Sequence, residues 1–367
     1  MNILIPNLGS TSLKYQIVEM PSETSLAKGR LERVKDYREA IGQIAHAGIA
    51  IDAVALKAVH GGPDYRGTFL IDEGVVAALR RYLAAAPAHN AIYLTAIEAF
   101  QTALPGVPLV AAFEPEFHRT VPEEARLYGV PAQWRDEGVL KYGFHGASHQ
   151  YIAERTATLL GATGRLVSCH LGGSSSMCAI VDGRSVDTTM GFSPQSGLEN
   201  ATRHGDLDVF AVLYMMERHG WTTDQIRTQL ATGGGLAGLS GVAGGDLRDI
   251  QAAASAGSRE AQLAVAVFAL QVRKTIGAFA AAMGGLDAVA FTGGIGENSA
   301  SLRAACLLGL EFLGIAIDRA RNEAGIGDRA VSAEGAKVTV LALATNEELI
   351  VARRAYRCLV DGGRVGP

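Results

Sequence analysis

Two stretches far apart in this chain share one pattern, and carrying it twice constrains the chain to two similar halves. The first runs from an apolar strand, residues 2 to 6, through the connector Asn7-Leu8-Gly9-Ser10-Thr11-Ser12 into a second strand, Leu13 to Met20. The second runs from Leu166 to His170, through Leu171-Gly172-Gly173-Ser174-Ser175-Ser176, and back along Met177 to Val181. Each is a strand, a hydroxyl-rich turn and a returning strand. Asp182-Gly183 closes a further hairpin, as Asp-Gly does where both central residues need positive φ. Helical spacing fills the gaps: Glu73 to Ala85, His149 to Leu160, Asp206 to Arg218, and an alanine-rich stretch from Ser258 to Met283 expected to be well buried. Strands and helices mixed in two similar halves imply α/β architecture with a cleft between them.

A third turn follows an apolar run, Leu286 to Phe291, in Thr292-Gly293-Gly294-Ile295-Gly296-Glu297-Asn298-Ser299. Glycine there lets backbone amides approach a ligand with no Cβ in the way. Such a turn, opening on a polar helix start, suits a nucleotide's phosphates or adenosine. Each hydroxyl turn taken singly reads as a tight hairpin whose serines cap their own backbone. Three such turns from two halves can surround a triphosphate, which needs donors on several sides.

Other motifs are excluded. Gly-Lys never occurs in the chain, so there is no P-loop. Gly233, Gly235 and Gly238 match a dinucleotide fingerprint but follow a polar helical segment (Thr223 to Leu230), so they read as a flexible loop. His145 and His149 are four apart, yet Gly143 and Gly146 indicate a turn and no third ligand stands near, against a zinc site. A net charge of -4 without a basic cluster argues against nucleic acid or an acidic membrane as partner. The four cysteines (Cys169, Cys178, Cys306, Cys358) have no metal-type spacing and read as reduced core thiols. The start lacks a basic n-region and no apolar run is read as membrane-spanning, so a cytoplasmic protein is expected.

The chain resembles the acetate kinase family (acetate, propionate and butyrate kinases) of the actin, Hsp70 and sugar kinase superfamily. The resemblance rests on Asn7 to Lys14, Val59-His60-Gly61-Gly62, Ala86-Pro87-Ala88-His89-Asn90, Tyr142-Gly143-Phe144-His145-Gly146 with Ser148-His149, Thr202-Arg203 with Gly205-Asp206, Phe291 to Ser299, and Thr345-Asn346-Glu347-Glu348. It implies two duplicated ribonuclease H-like domains, with residues 1–117 plus 349–367 as one lobe and 118–348 as the nucleotide-binding lobe. The C-terminal helix, about Leu349 to Leu359, is expected to return to the first lobe.

The implied reaction is ATP plus acetate or propionate giving ADP plus an acyl phosphate, with magnesium, by direct in-line transfer. The resemblance gives Arg203 the carboxylate and the migrating phosphoryl group, a task suited to its planar fork; an ion pair with Asp206 or Asp208 is the plainer alternative. His145 would donate to phosphoryl oxygens, with His89 and His170 at two further active-site positions. Asn7 and Glu347 would place magnesium, with Glu348 the alternative carboxylate. Ser10, Ser12 and Lys14 would line the phosphate side of the first lobe. Gly172 and Gly173 in the second turn, Asp246 and Arg248 near the nucleotide, and Gly293, Gly294, Gly296 and Asn298 complete that side. Val59, Ala88, His89, Phe144 and Pro194 would form the acyl pocket. A homodimer is also implied.

Three positions depart from the family pattern. Lys57 replaces an arginine and Glu114 replaces the catalytic aspartate. Gly173 replaces an asparagine. Lys57 keeps charge but loses a bidentate grip. Either Lys57 and Glu114 compensate each other, a shorter cation met by a longer anion, or the chain is a nucleotide-binding paralogue with a degraded site. Ala88 stands where a leucine is usual, so the pocket is expected to accept propionate or a longer acid at least as well as acetate.

Overall fold

The computed structural model describes residues 1–8, 12–34, 36–45 and 48–362, without the side chains of residues 45, 87 and 88. Its frame is two six-stranded sheets. The first contains β1 (Asn2–Leu8), β2 (Ser12–Glu19), β3 (Thr24–Glu32), β4 (Ala53–Ala58), β5 (Thr68–Leu70) and β6 (Leu109–Phe113) in the order β3-β2-β1-β4-β6-β5. The second contains β7 (Arg165–His170), β8 (Ser176–Val181), β9 (Arg184–Thr188), β10 (Ala288–Thr292), β11 (Arg329–Ala330) and β12 (Thr339–Ala342). Its order, β9-β8-β7-β10-β12-β11, is the first with each strand exchanged for its counterpart. Directions match as well: an antiparallel trio, two parallel neighbours, and an antiparallel edge strand. The duplication expected from the two hydroxyl turns is therefore a property of the whole sheets.

Central parallel strands are covered on both faces, so their side chains split by period two rather than alternating apolar with polar. Ile3, Ile5, Ala53, Ala55, Val110 and Ala112 pack against Ile350, Val351, Ala355 and Cys358 of the C-terminal helix Glu347–Val360. Their neighbours Leu4, Val54, Leu56, Ala111 and Phe113 face the other way, onto Tyr93, Ile97 and Phe100 of the helix Pro87–Ala103. In the second sheet the helix Gly146–Leu160 takes the place of the C-terminal helix, covering Leu166, Cys178, Ile180, Ala288 and Ala290 with Ile152 and Ala153. The opposite face, with Val167, Val289 and Phe291, meets Phe268, Val272 and Ile276 of the long helix.

Two expectations are corrected. The long helix, Arg259–Ala282, is buried on one stripe only, with Leu263 and Leu270 at least half exposed on its outer side. By length and composition alone it could cross a membrane, contrary to the reading of the sequence. Its buried positions nonetheless recur at three- and four-residue steps against the core, the pattern of an amphipathic helix. The glycines 233–238 are not a loose loop: Gly235–Ser240 is a short helix with Gly235 and Leu236 buried. Asp182 and Gly183 both have positive φ (48 and 79), as the hairpin required. All four cysteines are buried and free.

Candidate active site

Strands β1, β4 and β6 run parallel and finish at one edge of their sheet. Their ends deliver Asn7, Lys57 and, one residue past β6, Glu114. The C-terminal helix begins at the same edge with Glu347 as its first residue, and Asn346 accepts the Leu349 amide as its cap. Lys57 Nζ lies 2.5 Å from Glu347 Oε2 and 3.4 Å from Glu114 Oε1. Asn7, Lys57, Glu347 and Glu348 line one small cavity. Glu347 is the carboxylate held by the lysine. Glu348 makes no ion pair among the described residues.

Charge sets the character of this cluster. Burial pushes the Glu114 carboxyl up against the opposing pull of Lys57. Although burial resists it, Lys57 and the His170 ring hold Glu347 below the usual carboxylate range. The two carboxylates in turn hold Lys57 well above the ordinary lysine value despite its burial. Glu114 Oε2 is buried with no hydrogen-bond partner among the described residues, an oxygen left open to a cation or a donor. Asn7 and Glu347, on one cavity wall, offer oxygen donors of the kind that suits a hard divalent ion keeping several waters or phosphate oxygens. Among the described residues no group of three His, Cys, Asp or Glu could hold a metal by itself.

The second sheet contributes turns. His170 ends β7, Thr292 ends β10, and the two are register partners. Gly293 has φ +76, and a Cβ there would lie 2.6 Å from the Leu171 carbonyl. The amides of Ile295 and Gly296 donate to that same carbonyl, which locks the two turns together. Gly294 is exposed, and a Cβ there would meet nothing within 4 Å, so its backbone faces open space. Asn298 donates to the Gly294 carbonyl at 2.9 Å. The turn at Gly172 and Gly173 is tied to the next loop: the Ala201 amide donates to Gly173 O and the Ser175 amide to Asn200 Oδ1.

That loop carries Arg203. Its guanidinium donates to Ser174 Oγ (3.1 Å) and Pro194 O (3.2 Å) and meets His89 Nε2 at 3.3 Å. Ser174 belongs to the second sheet's turn and His89 to a helix on the first sheet, so Arg203 spans the groove between halves. It makes no ion pair among the described residues. Asp206 instead accepts the Gly197 amide, and Asp208 caps the helix Val209–His219. Burial therefore lowers the Arg203 pKa with no carboxylate to offset it. The Gly235–Ser240 helix is the floor of this loop: the Gly234, Leu236 and Ala237 amides bond to the Thr202, Asn200 and Ala201 carbonyls.

His145 sits at the head of the helix Gly146–Leu160 in a left-handed conformation (φ 56). It stacks on His170 with ring centroids 4.3 Å apart. Burial first, then His170, His149, Lys57 and Arg203, keep its pKa well below that of a free histidine. His170 Nδ1 meets Ser148 Oγ at 2.8 Å. Val59 and Phe144 are buried in the apolar cluster that also holds Tyr93 and Met190. Ser12 opens β2, half-buried; Lys14 is exposed, paired in register with Asn7. Asp246 and Arg248 pair with each other at 2.6 Å, and Asp246 caps its helix. Ser10 and the Ala88 side chain lie outside the described residues. Sequence reasoning gives no site role to Ser174, Ser148 or His149; the serine-dense turn is a signal for the first only.

Two further histidines are expected to make stability acid-sensitive. His60, stacked on Tyr82 and bonded to Phe192 O, and His118, between Ser185 Oγ and Phe144 O, are both nearly fully buried. Burial lowers each pKa from 6.5 to about 4. A folded pKa below the unfolded one gives stability that is present above 6.5 and lost as pH falls towards 4. At pH 5 each is expected to cost about 2 kcal/mol relative to neutral pH. Urea unfolding at pH 7 and 5 measures the loss; an unchanged loss in His118→Gln would contradict this assignment.

Two duplicated α/β sheets, bridged by an Arg203 guanidinium that makes no ion pair among the described residues, fit a phosphotransferase that handles anionic groups. Residues 39–353 match the Acetokinase family. The acetate kinase of Geobacillus kaustophilus is 40% identical over 390 residues, covering 97% of this chain and 98% of its own. That of Methanosarcina acetivorans is 40% identical over 391 residues, with 96% of each chain covered. Among solved structures, a propionate kinase from Francisella tularensis superposes with a TM-score of 0.89 at 30% identity, covering 96% of this chain and 98% of its own. The Porphyromonas gingivalis acetate kinase does so with a TM-score of 0.86 at 32% identity, covering 98% and 99%. The chain belongs to the acetokinase family: it is a short-chain carboxylate kinase with the fold of the actin, Hsp70 and sugar kinase superfamily.

Proposed function

We propose that the chain transfers the γ-phosphoryl group of ATP to acetate or propionate, with Mg2+ bound near Asn7 and Glu347. The observation that carries this reading is Arg203, a half-buried guanidinium with no ion pair among the described residues, stretched between Ser174 of one lobe and His89 of the other. A cation so placed stabilises an anion shared by both lobes, as transfer between a carboxylate and a phosphate requires. His145 and Lys57 add a donor and a second charge beside it. Val59, Phe144 and Pro194, with Ala88, provide the apolar wall for the acyl chain. The Gly293-Gly294 turn and the Gly172-Gly173 turn take the nucleotide, with Asp246, Arg248 and Asn298 at its margin and Ser10, Ser12 and Lys14 across the groove. Mg2+ would neutralise phosphate charge. The contact between Lys57 and Glu114 supports compensating substitutions over a decayed site.

Trapping acyl phosphate with hydroxylamine, with ATP or pyrophosphate as donor and acetate, propionate and butyrate as acceptors, tests the reading. Carboxylate-dependent product with ATP is expected, with kcat/KM for propionate at least equal to that for acetate. No product with any acid would overturn it, and a strong preference for acetate would remove the pocket argument.

The lobe division at 1–117 plus 349–367 and 118–348 is proposed with it, supported by the C-terminal helix lying on the first sheet. A cytoplasmic homodimer is the proposed assembly. Leu207, Val209, Phe210, Leu213 and Tyr214 form a run of exposed apolar side chains, with Phe210 at 73% exposure, a density that a monomer's surface seldom leaves uncovered. Phe210→Glu is expected to yield monomers by light scattering; a dimer of unchanged mass would place the interface elsewhere.

A further inference from the structure

His149 has no part in the site as described, yet both its ring nitrogens are engaged, and its side chain is fully buried. Nδ1 lies 2.9 Å from Ser168 Oγ and Nε2 lies 2.8 Å from Ser176 Oγ. Ser176 Oγ is also 2.8 Å from His145 Nδ1. A hydroxyl carries one proton, and a neutral imidazole carries one. The links Ser168, His149, Ser176 and His145 therefore either all donate in one direction or meet at Ser176, whose oxygen can accept from both rings.

Three arrangements satisfy that condition. In the first, Ser168 Oγ–H donates to His149 Nδ1, His149 Nε2–H to Ser176 Oγ, and Ser176 Oγ–H to His145 Nδ1. The His145 proton is then on Nε2. In the second, every donor is reversed: His145 Nδ1–H donates to Ser176, Nε2 is a bare lone pair, and the last proton is stranded on Ser168. In the third, His149 Nε2–H and His145 Nδ1–H both donate to Ser176, whose own proton is stranded. Ser168 and Ser176 are fully buried, and their hydroxyls have no other hydrogen-bond partners among the described residues. A buried donor left unmatched is disfavoured, so the first arrangement is favoured about fivefold or more over either alternative. Among the described residues His145 Nε2 has no protein partner. The ring's low pKa, set by burial and by neighbouring His170, keeps it neutral, so one tautomer has to be chosen. The His170 branch differs. Ser148 reaches both His170 Nδ1 and Thr345 Oγ1, and two hydroxyls in series leave that direction open.

We propose that His149 is a positioning residue: through Ser176 it holds His145 as the Nε2–H tautomer, leaving a preset donor for the phosphoryl group in flight. The proposal rests on the reading of His145 as a phosphoryl donor, but the tautomer itself can be read without catalysis. Preset donors aimed at transition-state charge cost no reorganisation during the reaction, and losing one lowers kcat about 10²–10³-fold.

The test is ¹⁵N-histidine NMR of the ligand-free protein at neutral pH, with the His145 ring assigned by its loss in His145→Gln. A ring protonated at Nε2 is expected. A ring protonated at Nδ1 overturns the proposal, whatever the enzyme assay shows. The kinetic arm compares His149→Phe, which cannot donate to Ser176, with His149→Gln, whose amide can accept from Ser168 and donate onwards. The Phe variant is expected to lose at least about tenfold in kcat with KM values near wild type, and the Gln variant to recover to within about threefold. Equal losses in both folded variants would mean packing only and overturn the role. Should the Phe variant fail to fold, the wild-type and Gln spectra, both protonated at Nε2 if the chain of donors holds, decide alone.

Discussion

Arg203→Ala is expected to cut carboxylate-dependent acyl phosphate formation by roughly a thousandfold or more, the scale for an arginine that neutralises a transferring phosphoryl group. The same variant should keep its thermal midpoint or gain slightly. That pairing of outcomes follows from the geometry. The side chain bonds only to a serine hydroxyl, a proline carbonyl and a histidine, and burial opposes its charge. Removing it takes away a desolvated cation and leaves no carboxylate stranded. Arg203→Lys should fall by about a hundredfold as well, since a point charge cannot reproduce two parallel N–H donors. Activity by hydroxylamine trapping and unfolding by calorimetry measure both sides. A large loss of stability with activity retained would show Arg203 to be a structural residue.

Swapping Lys57→Arg and Glu114→Asp singly and together should show strong coupling. The Lys57–Glu114 contact is 3.4 Å, with Glu347 closer still at 2.5 Å. Replacing one member alone lengthens or shortens the reach by about a bond, and a displacement near 1 Å costs about a hundredfold in rate. Each single variant is therefore expected to lose about a hundredfold in kcat/KM. The double variant, which restores the pair usual in the family, should come within about tenfold of wild type. Contacting residues are where such non-additivity is found. Additive losses in the double variant would mean that the two substitutions did not arise as partners. Lys57→Met is a harsher test of the same cluster: with two buried carboxylates left facing each other, stability should drop by about 3–5 kcal/mol in urea unfolding.

Legibility in the sequence followed locality. The second hydroxyl turn, the Asp182-Gly183 hairpin and the Gly293 turn are each specified within a few residues, because φ preference and side-chain capping act over that range. The edge strand β3 has no such local mark. Its residues are largely exposed, so no apolar run announces it; pairing with β2 makes it a strand. The burial of Arg259–Ala282 is less than its composition suggests for the opposite reason. Alanine and leucine all round conceal which stripe faces inward until neighbouring helices are in place.

The sequence by itself determined a duplicated α/β fold, the local turns at Asp182-Gly183 and Gly293, and the family to which the chain is similar. Only the tertiary structure chose Glu347 over Glu348 as the partner of Lys57, freed Arg203 from Asp206 and Asp208, and joined His149 to His145 through a serine. The reason is physical. Backbone geometry is set by neighbours in sequence, whereas the partner of a charge or a hydroxyl is whichever group the packing of separate strands and helices brings within about 3 Å.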